Sequence, residues 1–221
     1  MSRLIKAVSL AMALTLVFSL CGFAGECSRI RGRVLRLHIL ANSDSEEDQQ
    51  LKLQVRDAVV AVSAGLFDGA QDEGEALERA REQLPLLEET ARQVIADAGY
   101  DYDVAVSLRN MYFTTRFYDG VNGGESVTLP AGMYDAVRID IGEGAGHNWW
   151  CVVFPPLCVS AAQEPAEAQS SATLDDVLDP EQREIVTQPD KYEVRFKIVE
   201  LFEDLCHRIS GWLGQPESTP A

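Results

Sequence analysis

Apolar and polar positions change period several times along this chain, and each change marks an element. Val34 to Ala41 (VLRLHILA) alternates, with Leu35, Leu37 and Ile39 on one side, and reads as a strand. Asn42-Ser43-Asp44-Ser45 is a turn cluster. Ser45 with Asp48, or Ser43 with Glu46, can cap a following helix, and the acids there suit the positive end of its dipole. Leu51, Val55, Val59, Val62 and Leu66 then recur at helical spacing, predicting a helix over Glu46 to Ala64 that Gly65 stops.

After a polar break at Asp68 to Gly74, Glu75 to Leu84 and Leu86 to Ala98 read as helical. Pro85 either kinks that segment or opens its second half, and Gly99 ends it. Tyr102 to Leu108 and Tyr112 to Tyr118 read as strands joined by a turn at Arg109-Asn110, with a loop at Asp119 to Gly124. Met133 to Ile141 and Trp150 to Phe154 read as two further strands. Ala, Gln, Glu, Pro and Ser dominate Ala161 to Ala172, and the segment 161–190 is expected to be flexible. Val194, Ile198, Leu201, Phe202, Leu205, Ile209 and Trp212 form one apolar stripe. It predicts an amphipathic helix over 191–212 that packs on the main domain, followed by a frayed tail at 213–221.

This order of elements predicts an α+β fold in two layers. A mixed or largely antiparallel sheet of about four to five strands would pack with three to four helices, the main domain running over 25–160. The length, 221 residues, is enough for one such domain with a real core.

Charge and composition divide the chain differently. Through Arg36 the basic residues are Arg3, Lys6, Arg29, Arg31, Arg33 and Arg36, against Glu26 alone, yet the whole chain carries a formal charge of −16. An acidic body of this kind argues against nucleic acid as a partner. Arg3 and Lys6 precede the apolar run Ala7 to Leu20, and small residues flank Phe23 in Gly22-Phe23-Ala24. This is the layout of a secretory signal peptide over 1–24, cleaved after Ala24; the competing reading is an uncleaved signal anchor. Cys21 and Cys27 follow Leu20 and Glu26, which does not suit lipid attachment. Either way the body is exported, where disulfides are permitted. Cys151 and Cys158 are the natural pair, with Pro155-Pro156 able to bend the chain between them; two buried thiols are the alternative.

The chemistry-bearing candidates are few. Gly142-Glu143-Gly144-Ala145-Gly146 leads into a strand rather than a helix and lacks a lysine, so it reads as a hairpin loop and not a phosphate cradle. Cys151 with His147 or His38 as base is the one nucleophile to weigh, as in an exported thiol hydrolase. No tightly spaced Cys or His pairs point to zinc, and no metal or other cofactor is expected. His38 is read as a packed core residue. Trp149 and Trp150 should face opposite sides of their strand, leaving one available to a partner.

Four segments together carry a resemblance. Arg36 to Val59 (RLHILANSDSEEDQQLKLQVRDAV), Leu129 to Val137 (LPAGMYDAV), Gly142 to Cys158 (GEGAGHNWWCVVFPPLC) and Tyr192 to Leu201 (YEVRFKIVEL) resemble, in order, the motifs of the stage II sporulation protein R family. The likeness runs from Val34 to Trp212, apart from the segment after Ser160. It implies a non-catalytic developmental signal of endospore-forming bacteria, made in the forespore and exported into the space between forespore and mother cell. There such a protein activates a membrane-embedded aspartic protease that removes the pro-segment of the mother-cell sigma factor, sigma-E. The resemblance brings no assigned contact residues. Asn42, Ser43, Asp44, His147, Asn148, Trp149 and Trp150 are the candidates for partner contact. A structural protein of the spore envelope is the remaining rival.

Overall fold

The structure, a computed structural model, describes residues 2–67, 69–121, 125–157 and 173–212. A 30-residue helix, α1 (Ser2–Arg31), leads into strand β1 (Leu35–Leu40). Two helices follow, α2 (Glu46–Leu66) and α3 (Glu73–Asp97). Five strands come next: β2 (Val104–Phe113), β3 (Arg116–Val121), β4 (Glu125–Leu129), β5 (Gly132–Ile141) and β6 (Asn148–Phe154). The chain closes with α4 (Leu174–Val177), α5 (Pro180–Thr187) and α6 (Glu193–Trp212). The main sheet has the order β2-β5-β1-β6, with β1 parallel to β5 and the other pairings antiparallel; β3 and β4 form a separate hairpin.

The α+β class and the mixed four-stranded sheet are as expected, and a third layer is added to the two foreseen. On one face Leu35, Leu37 and Ile39 of β1 meet Leu51, Val55 and Val59 of α2 and Ala80, Leu87, Ala91 and Ile95 of α3. The other face is covered by the end of α1, the β3–β4 hairpin and the C-terminal helices, through Phe23, Ile30, Val127, Leu129, Ile185 and Phe196. β1 is therefore buried on both sides, including its polar positions. The Arg36 guanidinium is fully buried, 4.1 Å from the Phe113 ring centroid and 4.9 Å from that of Tyr134, and donates to the Tyr118 hydroxyl. His38 lies flat on Trp150, ring centroids 4.0 Å apart. Burial was expected of His38; the structure supplies aromatic stacking.

Local rules account for the helix ends. Ser45 caps α2 by accepting from the Asp48 amide, one of the two caps foreseen. The helix runs on past Gly65 to Leu66, where Phe67 turns into the core. Asp72 caps α3, and Gly99 in the left-handed region closes it with the amides of Gly99 and Tyr100 bonded back to Ala96 and Ile95. Pro85 does not split α3. Leu77, Ala80, Leu87 and Ala91 are buried on both sides of it, so sheet contacts carry the helix across the missing N–H donor.

Three expectations are corrected. Arg109-Asn110 is not a turn: β2 runs straight through it, because these residues pair with Ala136 and Asp135 and the Asn110 amide donates to the Asp135 carboxylate at 2.6 Å. The expected loop at 119–124 is in part strand, since β3 continues to Val121 and β4 begins at Glu125; residues 122–124 lie outside the described residues. The segment expected to be flexible over 161–190 holds α4 and α5, with Leu174, Val177, Ile185 and Val186 buried. Capping boxes open both helices, Thr173 with Asp176 and Asp179 with Gln182. Residues 161–172, like the tail at 213–221, lie outside the described residues. Helix α6 does pack on the domain, but through Phe196 and Val199 rather than through the apolar stripe; Val194, Leu201, Phe202, Leu205 and Trp212 face outward.

The middle motif LPAGMYDAV docks the end of α1. Arg31 donates to the Ala131 carbonyl at 2.9 Å and pairs with Glu203 of α6 at 2.9 Å. A Cβ at Gly132 (φ 140°) would lie 2.7 Å from the Arg31 side chain. Tyr134 closes the turn by donating to the Pro130 carbonyl.

Two groups, buried His38 and half-buried Glu73, give folding opposite pH dependences. Burial, first, and the charge of Arg138 push the His38 imidazole down to about 4, against opposing contributions from Asn148 and Asp140. The unfolded chain binds that proton near 6.5, so this contribution is present above 6.5 and lost as pH falls towards 4. Burial, then the Asp135 carboxylate beside it, push Glu73 up to about 7 from 4.5. Its contribution is complete below 4.5 and lost as pH rises through about 7. The two windows overlap and oppose one another, so between pH 4.5 and 6.5 denaturant unfolding should show stability falling as pH rises in His38→Gln and rising with pH in Glu73→Gln. Unchanged slopes in either variant would remove that group from the balance.

Candidate functional site: an interlocked loop pair at the carboxyl ends of β1 and β5

Because β1 and β5 run parallel and side by side, the loops that follow them leave the sheet at the same edge. The carboxyl ends of parallel strands are where open α/β sheets tend to carry their sites. The loop after β1 is Asn42-Ser43-Asp44; the loop after β5 is Gly142 to His147. These are two of the segments in which contact residues were expected, and the structure brings them together.

The two loops are locked by backbone and side-chain bonds. The Ala145 amide donates to the Asn42 carbonyl at 3.2 Å, and the Gly146 amide to the Ala41 carbonyl at 2.9 Å. The Glu143 amide donates to the Asn42 side-chain oxygen at 3.0 Å. Asp44 receives the His147 amide at 2.6 Å, and its carboxylate lies 2.5 Å from His147 Nδ1. The glycines permit this approach. A Cβ at Gly142 would sit 2.2 Å from the Asn42 side-chain oxygen, at a φ of 57°; one at Gly146 would sit 2.1 Å from the Ser43 carbonyl oxygen. The sequence reading of these glycines as a loop requirement therefore has a specific steric cause.

Helix α2 supplies the foundation. Asp48, almost fully buried, accepts from the Asn42 amide at 2.9 Å and from the Ser43 hydroxyl at 2.6 Å. Burial pushes its carboxyl up, but the bonds from Ser43, Asn42 and Tyr102 outweigh this and hold it below the usual carboxylate range. Gln49 donates to the Ser43 carbonyl at 2.9 Å, and buried Lys52 donates to Gln49 and to the His147 carbonyl, at 2.6 and 2.9 Å. Sequence reasoning placed Asp48 in the cap with Ser45 and in the charge cluster at the helix start, and did not single out Gln49 or Lys52. Asp48 and Gln49 bind the neighbouring Asn42-Ser43 turn, whereas the pattern gives no sign that Lys52 reaches the His147 carbonyl, 95 residues away.

An open cavity of about 600 Å³ lies beside the locked loops, lined by Asn42, Ser43, Asp101, Tyr102, Asp103 and Glu143 among others. Its wall is rich in carboxylates, so it suits a cationic group and disfavours an anion. The Asp101-Tyr102-Asp103 side was not foreseen; the Asp103 carbonyl, which accepts the Gly142 amide at 2.7 Å, ties it to the site. Among the described residues, no group of three or more His, Cys, Asp or Glu side chains converges to hold a metal ion.

The remaining candidates sit just behind this edge. Asn148 is exposed and pairs with Leu40. Trp149 and Trp150 do point to opposite faces, and both are half-buried. Trp149 pairs with Ile39 and lies under the Arg56 guanidinium, 5.1 Å from its ring centroid; Trp150 is held between His38 and the edge of Phe113. Cys151 is buried and disulfide-bonded, which leaves no thiolate there for a nucleophile; its expected partner, Cys158, lies outside the described residues. Cys21, Cys27 and Cys206 are free.

Gly146→Ala should force the two loops apart, since the added methyl meets backbone that has no room to move. It should cost about 1–3 kcal/mol, as overpacking generally does, and speed amide exchange at residues 42–44. An unaltered melting temperature and unaltered exchange would show that the loops do not depend on this contact.

A family model described as stage II sporulation protein R matches residues 31–164. The chain is similar to the protein named stage II sporulation protein R from Bacillus subtilis (strain 168), 35% identical over 191 residues that span 80% of this chain and 83% of the relative. No solved structure matches.

Proposed function

The chain belongs to the stage II sporulation protein R family, and from that premise we propose that it is an exported, non-catalytic activator of a membrane-embedded aspartic protease. That protease would process the pro-form of the mother-cell sigma-E factor, and the activator would act in the space between forespore and mother cell. A binding protein activates an enzyme only by favouring its active state, so it must contact that state more tightly than the inactive one. The observation that best supports the reading is the convergence of two family-like motifs, Arg36–Val59 and Gly142–Cys158, on one exposed edge. Their glycines, amides and buried acids serve to hold two loops rigid. Preorganised loops lose little entropy on binding, which suits recognition. The carboxylates Asp44, Asp101, Asp103 and Glu143 favour a partner surface with basic side chains. The disulfide at Cys151 weighs against the thiol-hydrolase alternative.

Reconstitution tests the proposal. The full chain, the cognate protease and its pro-sigma substrate would be combined in one membrane preparation and cleavage followed by gel. Cleavage should depend on the added chain and persist in folded Cys151→Ala. Glu143→Lys should shift the dose for half-maximal cleavage at least tenfold, equal to about 1.4 kcal/mol of binding. A protease competent by other means yet indifferent to the chain at every dose would overturn direct activation. Retention of the chain in purified spore envelopes, with no effect on processing, would favour the structural reading instead.

A further inference from the structure

We propose that helix α6 lies along a lipid bilayer surface, its outward apolar stripe immersed among the acyl chains and its basic side chains at the headgroups. This contact is separate from the loop pair. It depends neither on what the loops bind nor on the 1–24 segment.

The two sides of α6 are built differently. Phe196 and Val199 are buried against the domain. At about 100° per residue, the stripe from Val194 to Trp212 occupies an arc of about 100° on the nearly opposite side of the helix. It runs for about 27 Å. None of its residues is buried, and Val194, Leu201 and Trp212 are 72%, 71% and 86% exposed. Single apolar residues are ordinary on a surface, but a continuous band of them marks a face that something covers. Because the band points away from the domain instead of lining a cleft, a flat surface can reach all of it.

The charges say what that surface is made of. All the arginine and lysine residues of the helix flank the stripe, Arg195 along one border and Lys197 and Arg208 along the other. The acids, Glu193, Glu200, Glu203 and Asp204, all fall on the half of the helix turned from the stripe. Exposure follows the same division. The Lys197 and Arg208 side chains are 70% and 76% exposed, whereas Glu200 and Asp204, to which they bond at 3.2 and 2.8 Å, are 25% and 39% exposed. Glu203 is turned in to Arg31. An apolar band edged by cations, with Phe202 within it and Trp212 at its end, is the make-up of a helix that lies in the membrane interface. Long basic side chains leave their stems on the acyl chains and carry their charges to lipid phosphates, and indole rings favour the headgroup level. A second copy of the chain fits less well, because stripe against stripe would bring the cationic borders together.

Vesicles with brominated acyl chains test the contact, with Trp212 as the reporter. The exported chain is mixed with such vesicles, made of phosphatidylcholine and phosphatidylglycerol, and tryptophan fluorescence is followed. A Trp212→Phe chain gives the share of Trp149 and Trp150. Bromine should quench the Trp212 share. In a chain carrying both Leu201→Gln and Phe202→Gln, the lipid dose for half-maximal quenching should rise roughly tenfold or more, since two apolar side chains no longer favour the lipid. The melting temperature of that variant should be unchanged, because both residues face outward. Trp212 reports on α6 itself, so the leader does not produce the signal. Trp212 unquenched by the vesicles, or quenched at the same dose in the double variant, would overturn the proposal. So would a chain that ignores vesicles and forms a dimer that the double variant dissolves, or one whose α6 amides are protected from exchange only by an added protein partner.

Discussion

A guanidinium taken wholly out of water must be compensated, and around Arg36 that compensation organises half of the molecule. Removing such a charge from solvent costs several kcal/mol even after relaxation. Arg36 meets Phe113, Tyr118 and Tyr134, which come from β2, β3 and β5, and each ring face returns about 0.5–2 kcal/mol to a desolvated cation. Of the three, the Tyr118 ring needs the β3–β4 hairpin folded back over the sheet. The hairpin in turn needs α5 and α6 behind it, where Ile185 and Phe196 are buried. The third layer is thus the consequence of a strand whose second face carries Arg36 and His38 in place of solvent-facing residues.

The opposite face follows simpler rules. Leu35, Leu37 and Ile39 meet the apolar stripes of α2 and α3, and helix caps set the ends. This half holds α2 at the angle that presents Asp48, Gln49 and Lys52 to the loops. The two faces therefore divide the work: one builds a conventional core, and the other receives α1 and the C-terminal helices. Between them β1 delivers Asn42, Ser43 and Asp44 to the edge where β5 delivers Gly142 to His147.

Locked by the buried Asp48 carboxylate and by glycines, the loop pair has its shape set by the fold itself. The site offers acceptors and fixed backbone, with the imidazole of His147 engaged by Asp44. The outward stripe of α6, from Val194 to Trp212, stands on the same side of the fold as the docked end of α1, since Phe196 touches Phe23 and Glu203 touches Arg31.

Local pattern was sufficient wherever one element's own residues decide the outcome. The alternation in VLRLHILA, the helical recurrence of Leu51, Val55 and Val59, the Ser45 cap and the Gly99 stop are set by neighbours a few residues away, so β1, α2 and the end of α3 are legible in the sequence. The meeting of Asn42–Asp44 with the Gly142–His147 loop was legible only as two separate candidates. Their contact depends on the parallel pairing of β1 with β5, which no local signal encodes. Arg109-Asn110 looks like a turn until Asp135 is placed opposite, and Pro85 looks like a break until the sheet holds both halves of α3. The polar run that became α4 and α5, and the stripe of α6 that faces outward while Phe196 and Val199 face in, were decided the same way. Each was settled by which surfaces remained to be covered, and that is a property of the assembled layers rather than of any segment.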